Sequence, residues 1–312
     1  MRFTSIGECM VEMAPAGGDP ALYRLGYAGD TFNTAWYARV LLPEAARVGY
    51  VSAVGQDDVS GRMLDFMATH GIETRHVARV PDRTVGLYAI AVTDGERSFS
   101  YWRSHSAARV LARHLPVPDA VGGEGAVLHL SGITLAIHAP EDRARLLDWV
   151  GAVRRSGATI SFDPNIRPVL WEGKDAIAQW LPRAAALADH VLPSLDEETA
   201  TFGAADASGV AERYLAWGAR EVVVKNGPNA GLATNVDGTR TPFHPVKAPT
   251  IVDSTAAGDS FNAAYLVTRQ RSAEPLESAQ FACAVASTVV QHRGALVDGD
   301  LLGERTRMLR AR

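Results

Sequence analysis

Apolar residues in this chain fall into short continuous runs separated by longer stretches of helical period. The runs at 3–7, 47–54, 126–131, 158–163, 189–193 and 221–225 read as strands. VLHLS, TISFD and EVVVK among them are continuous and partly β-branched, as strands covered on both faces should be. The stretches 31–42, 58–70, 140–156, 174–187, 207–218, 258–270 and 275–292 read as helices. This alternation predicts an α/β fold with a mainly parallel central sheet and helices on each side.

One region breaks the rhythm. Residues 72–103 carry strand patterns and no helix, and 85–92 and 97–103 flank Thr93-Asp94-Gly95-Glu96. Asp-Gly between two β-rich runs predicts a hairpin, because a type I′ turn needs positive φ at both central positions. That turn places Val92 opposite Arg97, Ile90 opposite Phe99 and Tyr88 opposite Tyr101. Tyr88, Tyr101 and Arg103 then share one face, since side chains two apart point the same way. Together, about 10–26 and 72–104 are expected to form a β-sheet lid protruding from a single domain, 1–312.

Composition removes several function classes. Of 312 residues, 47% are apolar and 21% charged, an ordinary globular mix that excludes a disordered chain. The 31 Lys+Arg against 35 Asp+Glu leave no basic excess for a nucleic-acid backbone or an anionic membrane surface. Cys9 and Cys283 alone build neither a disulfide framework nor a thiolate metal site. No apolar window of ~18 residues is free of charge, and Glu8 and Glu12 interrupt the start, so it reads as a strand rather than a leader. A cytoplasmic location is expected.

Four stretches carry chemistry. Asp253-Ser-Thr255-Ala256-Ala257-Gly258-Asp259 runs directly into an apolar helix. Small residues there let a ligand approach the backbone, the helix start offers unpaired amides, and such a nest binds phosphate. Asp259 at its mouth can accept a proton from an attacking hydroxyl, and an ordinary carboxylate suffices for that. An N-cap in a small-residue loop is the bland alternative. Lys225, closing the strand EVVVK before Gly227 and Gly231, is placed for a phosphate contact; a snorkelling strand-end Lys is its alternative. Gly29-Asp30-Thr-Phe-Asn33 opens a helix; Asp30 reads as its N-cap, and Asp30 with Asn33 suits sugar hydroxyls. After Phe162-Asp163-Pro164, Asn165 and Arg167 project from a strand end. Arg103 and Arg167 are candidates for gripping a carboxylate. There is no G-x-x-x-x-G-K-[ST], G-x-G-x-x-G after the first strand, H-E-x-x-H, C-x-x-C or G-x-S-x-G.

Taken in order, these motifs resemble the ribokinase-like (PfkB) sugar kinase family, over nearly the whole chain. Gly29-Asp30…Asn33, Gly55-Gln-Asp57-Asp-Val-Ser-Gly61 and the 253–259 segment carry the likeness. Within it, Gly7-Glu-Cys-Met-Val-Glu12, Gly86-Leu-Tyr88, Tyr101-Trp-Arg103, Asp163-Pro-Asn165-Ile-Arg167 and 286–294 are most similar to the 2-keto-3-deoxygluconate kinases. The resemblance implies a ribokinase-like three-layer α/β/α sandwich with a lid. It implies ATP-dependent phosphorylation of the terminal hydroxyl of that acid sugar, with Asp259 as base and the amides of Ala256, Ala257 and Gly258 stabilising charge. Gly29, Asp30, Asn33, Tyr88, Tyr101, Arg103 and Arg167 would hold the sugar. ATP would meet Asn165, Arg167, Ser194, Lys225, Gly227, Gly231, Ala257 and Gly258.

Magnesium is implied on the phosphates, with Glu197 a contact through water, and Asp253 and Thr255 mark a monovalent-cation position. A homo-oligomer is expected, with a dimer through the lid covering its open edges. Two positions depart from the family pattern. Ser194 stands where Asn is usual. Ala256 replaces Gly, which is tolerable at negative φ. The alternatives are the same fold acting on fructose or 2-keto-3-deoxygalactonate, and a non-catalytic sugar or nucleotide sensor.

Overall fold

The computed structural model describes residues 1–303 apart from 18, 20, 94–95, 204–205, 236 and 272. In chain order the strands are β1 (Arg2–Ile6), β2 (Met10–Pro15), β3 (Tyr23–Ala28), β4 (Arg47–Val54), β5 (Ile72–Arg79), β6 (Gly86–Thr93), β7 (Glu96–Trp102), β8 (Ala126–Ser131), β9 (Thr159–Asp163), β10 (His190–Val191), β11 (Glu221–Val224), β12 (Gly231–Asn235) and β13 (Arg240–Phe243). The helices are α1 (Asp30–Leu41), α2 (Asp58–Thr69), α3 (Gly132–Ala136), α4 (Pro140–Arg155), α5 (Lys174–Ala185), α6 (Leu195–Phe202), α7 (Ala207–Ala216), α8 (Ala257–Arg269) and α9 (Pro275–Val289).

The main sheet has nine strands in the order β13-β12-β11-β10-β9-β8-β1-β4-β5. It is parallel from β11 to β5, and β12 and β13 close one edge antiparallel. Helices cover both faces. Phe32, Tyr37, Phe261, Leu266 and Val285 pack one side around α1, α8 and α9; Leu146, Val150, Ile177, Leu181 and Tyr214 pack the other. Each such large side chain, fully buried, contributes roughly 1.5–3 kcal/mol. From β1 the chain builds one way through β4 and β5, then resumes at β8 on the other side of β1 and continues through β9 to β11. That reversal opens a crevice at the carboxyl ends of β1 and β8, where α/β sheets place ligands. No described helix is long and apolar enough to cross a membrane.

A second, four-stranded sheet, β3-β2-β6-β7, stands off the first. Its hairpin has the expected register: Tyr88 faces Tyr101, Ile90 faces Phe99 and Val92 faces Arg97. The Asp94-Gly95 turn itself lies outside the described residues. One expectation is corrected. Residues 72–79 do not belong to the lid, because β5 pairs parallel with β4 at the edge of the main sheet. Ile72 and Val77 are buried there while the charged residues between them face outward. An edge strand that buries only part of its length looks, in sequence, like a strand of a protruding sheet.

Candidate active site

The crevice gathers four of the motifs. At its floor, α8 starts from Ala256, whose φ of 60° is left-handed. The expectation of negative φ at this position is therefore wrong. The chain must reverse sharply from 253–255 into the helix, and an Ala held there costs about 1–2 kcal/mol. Beyond it α8 begins; the Ala257 amide donates to the Ser254 carbonyl at 3.2 Å, and the other first-turn amides of a helix have no partner within it. Asp259, in this turn, keeps partial solvent contact. Asn33 Nδ2 donates to Asp259 Oδ2 at 2.8 Å, and Thr34 Oγ1 to the Asp259 carbonyl at 3.3 Å, so the N-terminal turns of α1 and α8 are tied together.

Asp30 is not the N-cap. Gly29 takes that place, without a side-chain bond, in an extended backbone that also lets it pass the Glu8 carbonyl, 2.1 Å from where a Cβ would stand. Asp30 is thus free to accept from Asn165 Nδ2 at 2.8 Å. Asn165 itself has φ of 35°, and its amide is held by Asp163 Oδ1 at 3.1 Å.

Burial and the nearby Asp30 carboxylate push the Asp259 pKa up to about 8, against the hydrogen bond from Asn33. An ordinary carboxylate is not what the site contains. Asp163 goes the other way. Burial alone would raise it, yet Lys225 and Asn262 hold it below the usual range. Lys225 Nζ donates to Asp163 Oδ2 at 2.7 Å and to Asn262 Oδ1 at 3.1 Å, and Asn262 Nδ2 donates to the same Asp163 oxygen at 2.6 Å. The Lys225 ammonium lies 3.6 Å from where a Gly258 Cβ would stand, so it sits beside the α8 nest.

The arginines are less free than their sequence suggests. Arg167 Nη1 donates to Glu197 Oε1 at 2.5 Å, and Glu197 Oε2 accepts from the Ile166 amide at 3.0 Å. Arg103 is bonded to Glu8. On the lid, the Tyr88 and Tyr101 rings lie 5.8 Å apart, and Tyr88 donates to Glu12 Oε2 at 2.5 Å. Contacts run unbroken from Asp259 through Asn33 and Gly29 to Glu8 and Arg103, and from Asp30 to Asn165 near Arg167.

Five more predicted positions find definite surroundings. Ser194 caps α6 without a side-chain bond, and Gly227 has φ of 50°. Gly231 has a packing reason, since a Cβ would strike the Phe243 ring at 2.2 Å. Asp253 Oδ1 accepts from the Thr255 hydroxyl at 2.7 Å, while Oδ2 accepts from the Gly294 amide at 2.7 Å. Sequence reasoning left out Asn262, Asp163 and Glu8 as site residues. Asn262 had a positional signal, three positions after Asp259 on the same helix face, and Glu8 and Asp163 stood within segments that carried the family resemblance.

The arrangement can bind an anion at the α8 nest, hold a polyhydroxylated molecule against α1, and move a proton at Asp259. Residues 3–298 match the family model described as pfkB family carbohydrate kinase. The chain is 37% identical over 299 residues to a 2-dehydro-3-deoxygluconokinase of Dickeya dadantii, covering 94% of this chain and 95% of that protein. It is also 37% identical over 303 residues to the enzyme of that name from Escherichia coli K12, covering 95% and 97%. Among solved structures, aminoimidazole riboside kinase from Salmonella enterica, complexed with aminoimidazole riboside and an ATP analog, superposes with a TM-score of 0.84 at 22% identity. The match covers 98% of this chain and 100% of that one, and shows the shared fold.

Proposed function

Because this chain belongs to the pfkB family of carbohydrate kinases, we propose that it transfers the γ-phosphoryl group of ATP to the terminal hydroxyl of 2-keto-3-deoxygluconate (2-dehydro-3-deoxygluconate). The observation that carries the reading is the meeting of the α1 and α8 N-termini. It puts one carboxylate, Asp259, between a sugar-side amide, Asn33, and a phosphate-side nest.

The sugar hydroxyls lie against Gly29, Asp30 and Asn33, and the carboxylate and keto end against Tyr88, Tyr101, Arg103 and Arg167. The phosphates lie along Asn165, Ser194, Lys225, Gly227, Ala257 and Gly258. Asp259 takes the hydroxyl proton as the oxygen attacks phosphorus. Amides at the α8 start and the Lys225 ammonium stabilise charge on the transferring group. Bound magnesium would neutralise charge on the phosphates, and Glu197 would hold it through water. Among the described residues no cluster of three acidic, His or Cys side chains is preassembled for it. That suits an ion held mainly by phosphate and water. Glu197 would then share its carboxylate between that ion and Arg167. Asp253 and Thr255 remain the monovalent-cation element, on the loop that leads into the nest.

A panel of acid and neutral sugars, read by ADP release, tests the proposal. The keto-deoxy acid should be preferred, and preference for fructose would overturn it. Arg103→Lys should raise KM for the acid roughly ten-fold or more, because a point charge cannot replace a planar fork. An unaltered KM would remove Arg103 from the sugar site.

The protein is further proposed to be a dimer through the lid. Leu25 and Trp102 are 56% and 61% exposed on one face of this small sheet, an apolar surface a second copy would cover. Light scattering should give twice the chain mass, and a monomer at micromolar concentration would refute it.

A further inference from the structure

The Glu8–Arg103 pair joins the two sheets and is only half satisfied. Glu8 lies in the link between β1 and β2, and Arg103 follows the end of β7. Arg103 Nη2 donates to Glu8 Oε2, and the two side chains are 10% and 1% exposed. The other Glu8 oxygen, Oε1, and the Arg103 Nε–H are both enclosed without a hydrogen-bond partner. An orphaned polar atom on a charged group is costly to bury. Here one orphan is an acceptor and the other a donor, on groups that already touch.

Their geometries are complementary. The Nε/Nη2 edge of a guanidinium presents two parallel N–H bonds, and a carboxylate presents two oxygens to match. A turn of the Glu8 carboxylate that brought Oε1 to Nε would close the second bond and satisfy both orphans at once. The opposite edge of the fork, with Nη1 and the second Nη2 proton, is then left to an anion. The surroundings make room for this. A Cβ on Gly86 would stand 2.7 Å from Glu8 Oε1 and 3.2 Å from Arg103 Cβ, so that lid strand is bare where it passes the pair.

We propose that Glu8 is the positioning residue of Arg103: it takes the inner edge of the guanidinium as a two-point partner and so aims the outer edge at the substrate carboxylate. The inference deepens the acid-sugar reading and rests on it. It also gives that reading a source of selectivity. An unpaired arginine attracts any anion, ATP phosphates included. One already neutralised by Glu8 attracts by geometry more than by charge, and favours a planar carboxylate in one orientation.

The test is a double-mutant cycle of Glu8→Gln and Arg103→Lys in the full chain, with KM for each substrate, kcat and Tm measured for all four proteins. Glutamine keeps the size but puts an N–H where Nε needs an acceptor. E8Q should raise KM for the acid sugar roughly ten-fold, move KM for ATP less than about two-fold, and change kcat little. The double variant should be no worse than R103K alone, because Glu8 acts only through that arginine. Additive losses, or equal changes in both KM values, would mean a merely structural role and overturn the proposal. Should E8Q not fold, Glu8→Asp retains the charge with a retracted carboxylate, and the same split and non-additivity are expected of it. Wild-type turnover is read first. No turnover of the acid sugar removes the functional reading and this inference together, whereas turnover with unchanged E8Q kinetics removes only the role of Glu8.

Discussion

Asp259→Asn is expected to abolish turnover by three or more orders of magnitude while ATP still binds, and to make the protein more stable at neutral pH. The two halves have one cause. Burial and the Asp30 charge raise the Asp259 pKa to about 8, so the folded protein holds a proton there that the unfolded chain has released above about pH 4. The stability this group contributes is fully present below the unfolded value and is lost as pH rises through the folded one. Asparagine keeps the shape and never ionises, so the gain from the substitution should grow between about pH 4 and 8. Catalysis needs the other form. The acid limb of kcat/KM, which reports the free protein, should sit well above the ordinary carboxylate range and toward 8. An acid limb near pH 4, or a variant that keeps its rate, would take Asp259 out of the reaction.

Lys225→Met should be the most destabilising single change in the site. The ammonium is one of two side-chain groups that satisfy Asp163 Oδ2, the other being Asn262. Removing one partner of a buried pair costs about 3–5 kcal/mol, since the remaining charge stays desolvated. Asp163 is held below the usual range mainly by Lys225, working against burial. Its contribution is therefore present above the unfolded carboxylate pKa and is lost as pH falls through the folded one. The stability gap between wild type and K225M should narrow in acid, and D163N should restore much of it. It should not restore affinity for ATP, because the cation beside the nest is still missing. Urea titrations at two pH values with ATP-binding measurements check this. A gap independent of pH would show that the pair is not what Lys225 supports.

The sequence made some of this legible and hid the rest for physical reasons. Helices α1, α2, α4, α5, α7, α8 and α9 are long and periodic, and each lies within a few residues of its expected span. The hairpin register followed from one two-residue turn, because a period of two leaves no freedom once the turn is placed. Strands β12 and β13 were missed, since GLATN and RTPF are short and only lightly apolar. Asp259, Asn33 and Lys225 announced themselves by local motif. Their partners did not: Asn33 meets Asp259 across 226 positions and Lys225 meets Asp163 across 62. The raised pKa of Asp259 belongs to that assembly and to no segment of it. Arg103 was read as a free cation because the carboxylate that neutralises it is 95 positions away.

Two of the joints between the small sheet and the rest of the chain are short. Gly7, Glu8 and Cys9 alone link β1 to β2, and Gly29 alone stands between β3 and α1. A three-residue tether reaches only about 10 Å, so the small sheet cannot slide away from the large one; it can only pivot about this seam. Glu8 sits in the pivot itself, which makes the angle of the flap and the aim of the arginine a single mechanical variable.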